Sequence, residues 1–295
     1  ARKEVKTGLG HKDFEFDVNK EITIEEDLLR RDLTINAIAK TDAGEIIDPY
    51  GGLQDIENKV LRHISDAFKE DPLRVFRVAR FYTYLSKFDF KIYEETISFM
   101  KEICESGELS NLSFERIWME TQKCLSMKNS HLYFEILNEI GALSTFTSEL
   151  KKFSKNIISL KGKKENLLSD EEKWALLTLN IKLNKKVKVP NRFKKYSNHL
   201  STFVNTLNGE ISSKLVLEAL MKIDAFRDKD RANKIYNLYK VVANENEILN
   251  NLDFFLLLDK LTKVKPKKIK DKDSKLIKQE IFDKRILLIE EFINE

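Results

Sequence analysis

The pattern of apolar residues changes near Phe68. Before that position, polar and apolar residues alternate over short segments such as 13–18 and 30–39, which is typical of strands with one buried face. After it, apolar residues recur every three or four positions, which is typical of amphipathic helices. Only four prolines and nine glycines interrupt the 295 residues. We therefore predict an α+β fold, with a small mixed-sheet segment followed by an all-α region.

The same periodicities predict individual elements. In the first region we expect a helix over 22–31 that begins with a capping box of Thr23 and Glu26, strands at 30–39, 45–48 and 60–64, and a helix at 53–58. The helices expected in the second region cover 72–86, 91–105, 113–126, 128–140, 171–184, 191–208, 212–222, 227–250, 252–262 and 274–294.

Composition limits the class of protein. A net charge of +4 permits nucleic-acid binding without demanding it. The two cysteines are too few for a disulfide framework or a cysteine-based metal cluster. No apolar run reaches the ~18 residues of a membrane span, and no signal peptide is visible. We expect a cytoplasmic protein with no membrane partner, and the sequence leaves its oligomeric state open.

The stretch 70–81 predicts a helix with a sharp start. Asp71 suits the N-cap and Pro72 the first helical position. Arg74, Arg77 and Arg80 step by three and therefore share one side of the helix. Such guanidinium groups beside a capping carboxylate could bind an anion and contact hydrogen-bonding edges. They could equally form a solvated, salt-bridged helix face, and this stretch alone leaves both interpretations open.

Three ordered motifs carry a family resemblance. Residues 28–37 contain Arg30-Arg31-Asp32-Leu33-Thr34-Ile35-Asn36-Ala37, residues 47–55 contain Asp48-Pro49-Tyr50-Gly51-Gly52, and residues 70–81 begin Glu70-Asp71-Pro72-Leu73-Arg74. Together they resemble the RRDxTxNA, IDPxGGxxDL and EDPLRxLRxxRF motifs of class II tRNA nucleotidyltransferases (the CCA-adding enzymes) and the related bacterial poly(A) polymerases. Weaker likenesses follow at 107–118, similar to the neck of that family, and at 223–227.

The resemblance implies a domain order and an activity. Residues 1–64 would be the C-terminal part of the nucleotidyltransferase head, 65–127 a helical neck that selects the nucleobase, 128–200 a helical body and 201–295 a helical tail that binds tRNA. The implied activity is template-independent addition of CCA, or part of it, to tRNA 3′ ends from CTP and ATP. One alternative is a poly(A) polymerase of the same family. Another is a catalytically silent RNA-binding fragment.

The resemblance also implies residue roles. Asp71 and Arg74 would contact the base, because a carboxylate accepts from an exocyclic amino group while a guanidinium donates to a ring nitrogen or carbonyl. Cytosine and adenine share that pattern, whereas guanine and uracil reverse part of it. Other residues implied in nucleotide binding are Arg31, Arg77 and Arg80, with Asp32 and Asn36 as supporting residues.

Two departures from the family limit the chemistry expected of this chain. The head of the family begins with a Gly-Gly-x-x-Arg-Asp phosphate loop, followed by a strand that carries an Asp-x-Asp metal pair, and neither occurs here. We therefore expect an N-terminal truncation, with the catalytic residues and Mg²⁺ ligands outside the residues shown. Asp13, Glu15 and Asp17 follow the position of that pair, and we interpret them as the solvent face of an edge strand. The second departure concerns the His-Asp phosphohydrolase domain that many proteobacterial relatives carry. Because this chain has four scattered histidines and no His-Asp doublet, we expect no phosphohydrolase activity.

Lysines cluster around two prolines. One group precedes Pro190 and the other surrounds Pro266. They could contact tRNA phosphates or form solvated linkers, and the sequence does not distinguish these possibilities. The two groups are Lys182, Lys185, Lys186 and Lys188, and Lys263, Lys265, Lys267, Lys268, Lys270 and Lys272.

Overall fold

The computed structural model describes residues 3–6, 14–17, 22–161, 165–209, 211–243, 253–266 and 273–294. The chain is mostly helical, with small sheets near the N-terminal end, which confirms the α+β class. No helix among the described residues combines the length and the apolarity needed to cross a bilayer.

The strands of the described residues form three separate two-stranded ladders. Two are antiparallel and one is parallel. The antiparallel pairs are β1 (Lys3–Lys6) with β2 (Phe14–Asp17) and β3 (Ala39–Lys40) with β4 (Ile46–Ile47), and the parallel pair is β5 (Val60–Leu61) with β6 (Lys91–Ile92).

Helices occupy most of the rest of the chain. They are α1 (Ile24–Leu29), α2 (Gly52–Glu57), α3 (Arg74–Leu85), α4 (Glu94–Glu105), α5 (Phe114–Leu125), α6 (His131–Glu139), α7 (Leu150–Lys161), α8 (Asp170–Leu177), α9 (Asn191–Thr206), α10 (Ser213–Lys222), α11 (Lys229–Val242), α12 (Phe254–Lys263) and α13 (Ser274–Asn294).

The first region differs from the sequence prediction at one segment. The capping box that starts α1 is confirmed, since the Thr23 hydroxyl accepts from the Glu26 amide and the Glu26 carboxylate from the Thr23 amide. The strand predicted over 30–39 is wrong: Thr34–Asn36 is a 3₁₀ turn, Leu33 forms an isolated bridge with His63, and the strand β3 is limited to Ala39–Lys40. The Thr34 backbone and hydroxyl are hydrogen-bonded to residues further along the chain, so local alternation does not decide this conformation.

The second region differs in three places. It is not entirely helical, because β6 pairs with β5. The helix α7 was not predicted, although its buried residues Phe153, Ile157 and Leu160 have helical spacing. The helix expected over 171–184 ends earlier, at Leu177. Of the helix expected over 227–250, residues 244–250 lie outside the described part.

The chain divides into two compact units. One comprises residues 1–170 and 181–189, and the other comprises 171–180 and 190–295. In the first, α3 packs on α5 and α6, and α6 packs on α7. The second is built on α9, α10, α11 and the helices that follow. The four-part division into head, neck, body and tail stays a prediction.

Aromatic rings fill both cores. In the first unit, the ring of Phe146 makes edge contacts with Phe114 and Phe134, at centroid distances of 5.8 and 6.4 Å. In the second, Tyr236 stacks on Phe254 with the centroids 4.0 Å apart. Burial of such rings supplies much of the hydrophobic stabilisation of each unit. The first unit carries the three sequence motifs, so its core positions the candidate site.

Candidate functional site

The motif at 47–55 builds the start of α2. The Asp48 carboxylate accepts hydrogen bonds from the amides of Gly52 and Leu53, at 2.7 and 2.9 Å. Gly51 adopts a left-handed conformation with φ of 71°. A Cβ on Gly52 would lie 2.3 Å from the Thr34 carbonyl oxygen, so only glycine allows this close approach. The motif is therefore a scaffold that holds α2 against the turn at Thr34.

A buried carboxylate joins this motif to the preceding one. The side chain of Asp55 accepts from the Thr34 hydroxyl at 2.7 Å and from Arg62 Nε at 3.1 Å. The Thr34 amide donates to the Arg62 carbonyl at 2.9 Å. These bonds hold the segment 30–37 in its 3₁₀ turn and present one side of it to a cleft.

Asp32 organises the next layer of the site. Its carboxylate is 4% exposed and accepts from the Leu33 amide and from Asn36 Nδ2, at 3.0 and 2.9 Å. Its other oxygen accepts from Arg77 Nε at 2.7 Å. Because these bonds use both oxygens, Asp32 fixes Asn36 and Arg77 relative to each other.

The helix α3 begins later than the sequence predicted: its N-cap is Leu73, with no side-chain cap, and neither Asp71 nor Pro72 takes the predicted cap or first helical position. Asp71 is extended, and its carboxylate accepts from the Leu73 amide at 3.1 Å. The Arg74 amide donates to the Asp71 carbonyl at 2.9 Å. The regular helix starts at Arg74, after Pro72. Asp71 therefore satisfies the amide of Leu73, just before α3, and keeps its carboxylate beside the helix start.

The Arg74 side chain is anchored at two points. Its Nη1 donates to the Ala67 carbonyl at 2.7 Å, and its Nη2 donates to the Arg30 carbonyl. Burial lowers the pKa of the Arg74 guanidinium, and this effect exceeds the opposing influence of Asp71 and Asp32. The anchoring fixes the direction of the guanidinium before any ligand binds.

Arg116 is a site residue that was not predicted. Its Nη2 lies 2.9 Å from Asp71 Oδ2 and its Nη1 lies 3.4 Å from Asp71 Oδ1. The two-point contact orients the Asp71 carboxylate. The available signal was the position of Arg116 within the neck-like segment 107–118, but nothing in the sequence indicated the pairing.

These side chains line one open cleft of about 500 Å³ in the first unit. Five arginines and two aspartates line it, so their formal charge is +3. Arg31 is half-exposed there, and its Nη1 donates to the Asn36 carbonyl. The lining residues are Arg30, Arg31, Asp32, Asn36, Asp71, Leu73, Arg74, Arg77, Phe81 and Arg116.

Arg80 lies apart from the other predicted residues. It is absent from the cleft lining, and its Nε donates to Glu120, which also accepts from Lys123 at 2.9 Å. Burial opposes ionisation of Glu120, but the hydrogen bonds from Lys123 and Arg80 outweigh it and lower the pKa of the carboxyl. This pair ties α3 to α5, and a role for Arg80 in nucleotide binding stays a prediction.

The described residues do not fit a divalent-metal site. No group of three or more His, Cys, Asp or Glu side chains is arranged to hold a metal ion in the described part of the chain. The two carboxylates of the cleft, Asp32 and Asp71, are both hydrogen-bonded to arginines. The arrangement is suited instead to binding an anion.

Two family models match the first unit. Residues 3–62 match the poly A polymerase head domain, and residues 89–154 match the probable RNA- and SrmB-binding site of polymerase A. The matches flank α3 on both sides.

Curated relatives match about half of the chain. It is 55% identical over 150 residues to a multifunctional CCA protein of Haemophilus influenzae (strain PittGG), which covers 51% of this chain and 36% of the relative. It is 52% identical over 151 residues to a CCA-adding enzyme of Alteromonas mediterranea, covering 51% and 38%. The matched part of the chain thus spans little more than a third of the length of these relatives.

Solved structures share the fold at low sequence identity. A Thermotoga maritima CCA-adding enzyme complexed with tRNA has a TM-score of 0.65 at 20% identity and covers 92% of this chain and 70% of its own. A Bacillus stearothermophilus CCA-adding enzyme in complex with CTP has a TM-score of 0.57 at 23% identity, covering 85% and 61%. The two family models and the curated relatives agree that the first half of the chain is similar to the class II CCA-adding enzymes and poly(A) polymerases, and the solved structures show that the chain shares their fold.

Proposed function

We propose that this chain supplies the nucleotide-binding cleft of an enzyme that adds CCA, or part of it, to tRNA 3′ ends from CTP and ATP. The observation that carries the proposal is the arginine-rich cleft at the start of α3, with Asp71 and Arg74 side by side. Close relatives named as CCA proteins support it.

The charge of the cleft suits a nucleoside triphosphate. Arg31 and Arg77 project into it, and the side chain of Arg77 is 37% exposed although its Nε is paired with Asp32. A guanidinium has five N–H donors. The remaining donors of these arginines are thus available to phosphate oxygens, which arginine binds through paired hydrogen bonds.

Base selection would follow from two fixed side chains. Arg74 gives two of its five N–H donors to backbone carbonyls, which leaves others for a ring nitrogen or a carbonyl of the base. Asp71 Oδ2 accepts from Arg116 and retains lone-pair capacity for an exocyclic amino group. Cytosine and adenine match this donor–acceptor pair. Guanine and uracil would leave a buried polar group unpaired, at a cost of ~1–3 kcal/mol.

Metal binding and activation of the RNA 3′ hydroxyl are not functions of this cleft. In this proposal the Mg²⁺ ligands, and the groups that activate the terminal hydroxyl, lie outside the described residues. Arg80 contributes through its pair with Glu120, which holds α3 on α5. A relative solved with tRNA and another solved with CTP support both ligands as substrates of this chain.

Nucleotide binding gives a first test. Calorimetric titration of the chain with CTP, ATP, GTP and UTP should show at least about tenfold tighter binding of CTP and ATP than of GTP and UTP, which corresponds to ~1.4 kcal/mol. Equal affinity for all four nucleotides, or no binding, would contradict the proposed site.

Product analysis tests the reaction itself. The natural protein that contains this chain is incubated with tRNA lacking CCA, ATP, CTP and Mg²⁺, and the product ends are sequenced. Ends completed to CCA, CC or A support the proposal. Long adenosine tails would favour the poly(A) polymerase alternative. Binding of tRNA without nucleotide incorporation would favour the RNA-binding alternative.

A further inference from the structure

The cleft continues into a line of aromatic side chains along α3. Positions 77, 81 and 84 are separated by four and three residues, so they lie within about 60° of one another around the axis of α3. The 3₁₀ turn Ser86–Phe88 extends the line beyond α3. We call Phe81, Tyr84 and Phe88 the aromatic stripe. With Arg77 at its start, the part of the line that lies on α3, from Arg77 to Tyr84, is about 10 Å long.

The stripe begins in the cleft and ends in solvent. Phe81 lines the cleft. Tyr84 and Phe88 are 50% and 51% exposed. Single exposed apolar residues are common on protein surfaces, but here two large exposed rings share one cation, Lys87, and follow a ring that lines the cleft. That arrangement points to a ligand longer than the one held in the cleft.

Positive groups accompany every ring of the stripe. The Lys87 ammonium lies 4.8 Å from the ring centroids of both Tyr84 and Phe88. The guanidinium carbons of Arg80 and Arg77 lie 4.2 and 5.8 Å from the centroid of Phe81. Alternating rings and cations are the pattern that binds single-stranded nucleic acid, with bases stacked on the rings and phosphates beside the cations.

We propose that the aromatic stripe, with Lys87, binds the unpaired 3′ end of the RNA acceptor by stacking its last bases. This inference rests on the proposed function, because nucleotide addition requires the growing 3′ end to lie next to the cleft. The last base of that end changes as the RNA grows. Stacking tolerates such changes because every base has a flat π face. The acid nearest the end of the stripe, Asp89, is paired with Lys59 at 3.4 Å.

Fluorescence anisotropy with a labelled single-stranded RNA that ends in CC tests the stripe. We expect the double variant Tyr84→Ala/Phe88→Ala to raise the Kd at least about tenfold. The pair Tyr84→Phe/Phe88→Tyr keeps both rings and should stay within twofold of the wild type. The matched control is Phe255→Ala, since Phe255 is also 51% exposed but lies in the second unit. Its Kd should not change.

The salt dependence of the Kd measures the electrostatic contribution of Lys87 to RNA binding. Lys87→Gln should reduce the slope of log Kd against log salt by about 0.7, as expected for one lost phosphate contact to a single strand. Circular dichroism and the Tm of each variant confirm that the chain is folded. The proposal is overturned if the folded double-alanine variant binds this RNA within twofold of the wild type, or if the wild type does not bind it.

Steady-state kinetics separates this inference from the proposed function. In the natural protein, the double-alanine variant should raise the KM for the tRNA acceptor, and its KM for CTP should follow that of the wild type. If the double-alanine variant is active and its KM for the tRNA acceptor equals that of the wild type, the role of the aromatic stripe is contradicted and the proposed function is not. RNA binding that depends on the stripe in a protein that adds no nucleotide would reject the proposed function alone.

Discussion

Arg116 holds the carboxylate of Asp71 in a two-point ion pair across 45 residues of sequence. The residue proposed to accept from the base is thereby oriented by α5, although in sequence it lies just before α3. Selectivity should therefore depend on a residue that the sequence motifs did not mark.

Replacement of Arg116 tests this dependence. Arg116→Ala removes the two-point contact and leaves the Asp71 carboxylate held by the Leu73 amide, and we expect selectivity for CTP over UTP to fall about tenfold. Calorimetric titration with both nucleotides measures the change. Arg192→Ala is the control, because Arg192 forms an ion pair with Glu171 in the second unit and its side chain is 57% exposed. This control should change the free energy of unfolding by no more than about 1 kcal/mol. Unchanged selectivity in Arg116→Ala would show that Asp71 does not need this partner.

Replacement of Arg74 should be more severe. Arg74→Ala removes the proposed base contact and leaves the carbonyls of Ala67 and Arg30 without their donor. We expect loss of discrimination among nucleotides, or of incorporation altogether, and a decrease of about 1–3 kcal/mol in the free energy of unfolding. Primer extension with each nucleotide and urea denaturation measure the two effects. Arg74→Lys keeps the charge without the planar fork, and intact selectivity in either variant would contradict the base-contact assignment.

The two glycines at the start of α2, Gly51 and Gly52, should differ in how well they tolerate substitution. Gly52→Ala places a Cβ 2.3 Å from the Thr34 carbonyl oxygen and 2.8 Å from Ile38 Cγ1. We expect it to lower the free energy of unfolding by about 1–3 kcal/mol or more, since backbone must move. Gly51→Asn is the matched change, because no atom lies within 4 Å of its Cβ position and asparagine tolerates the left-handed region. Similar stabilities for the two variants would contradict the close packing of α2 on the turn.

The Glu120 carboxyl predicts a pH dependence of stability. Its pKa is lowered below the usual 4.5 in the folded chain, despite its burial, by hydrogen bonds from Lys123 and Arg80. Its contribution is therefore present above pH 4.5 and is lost as the pH falls through the folded-state pKa. We expect Glu120→Gln to lower the Tm at pH 7, and the difference from wild type to shrink below pH 4.5. Glu102→Gln, at a side chain that is 56% exposed, should show little of this effect.

Affinity for tRNA should depend strongly on salt if the lysine clusters contact phosphates. The Lys186 ammonium already donates to the Ser110 carbonyl at 3.2 Å, so it is partly engaged within the first unit. Measurement of Kd at increasing salt should give a steep slope, with one increment for each phosphate neutralised. A flat response would indicate that these lysines belong to solvated linkers.

Much of the fold follows from local pattern. The capping box of α1 and the buried face of α3 are encoded by neighbours within one or two turns, so periodicity and capping rules place them correctly. The turn at Thr34 could not be predicted in this way. Its conformation depends on Asp55, 21 residues away, and on Arg62. The strand β6 has only two residues and exists because it pairs with β5.

In the candidate site, too, some features follow from the local sequence and others from contacts between distant residues. Motif resemblance indicated Arg31, Asp32, Asn36, Asp71, Arg74 and Arg77, all of which line the cleft. Arg116 was missed because its role is defined by an ion pair between distant helices. Arg80 shares the three-residue step of Arg74 and Arg77, yet a partner on α5, Glu120, draws it away from the cleft. Helical spacing specifies a side of a helix, whereas the partner of each side chain is a property of the tertiary structure.

The hydrogen bond from Arg74 to the Arg30 carbonyl limits how this protein could be re-engineered. It connects the helix proposed to select the base to a backbone atom 44 residues earlier in the chain. A chimera that receives only residues 70–81 from a relative would combine the new arginine with a backbone carbonyl whose position is set by the recipient's own segment around Arg30. Reprogramming of nucleotide choice by transplantation would therefore require the two segments to be exchanged as one module, and libraries that vary both together should yield functional variants more often than libraries that vary the helix alone.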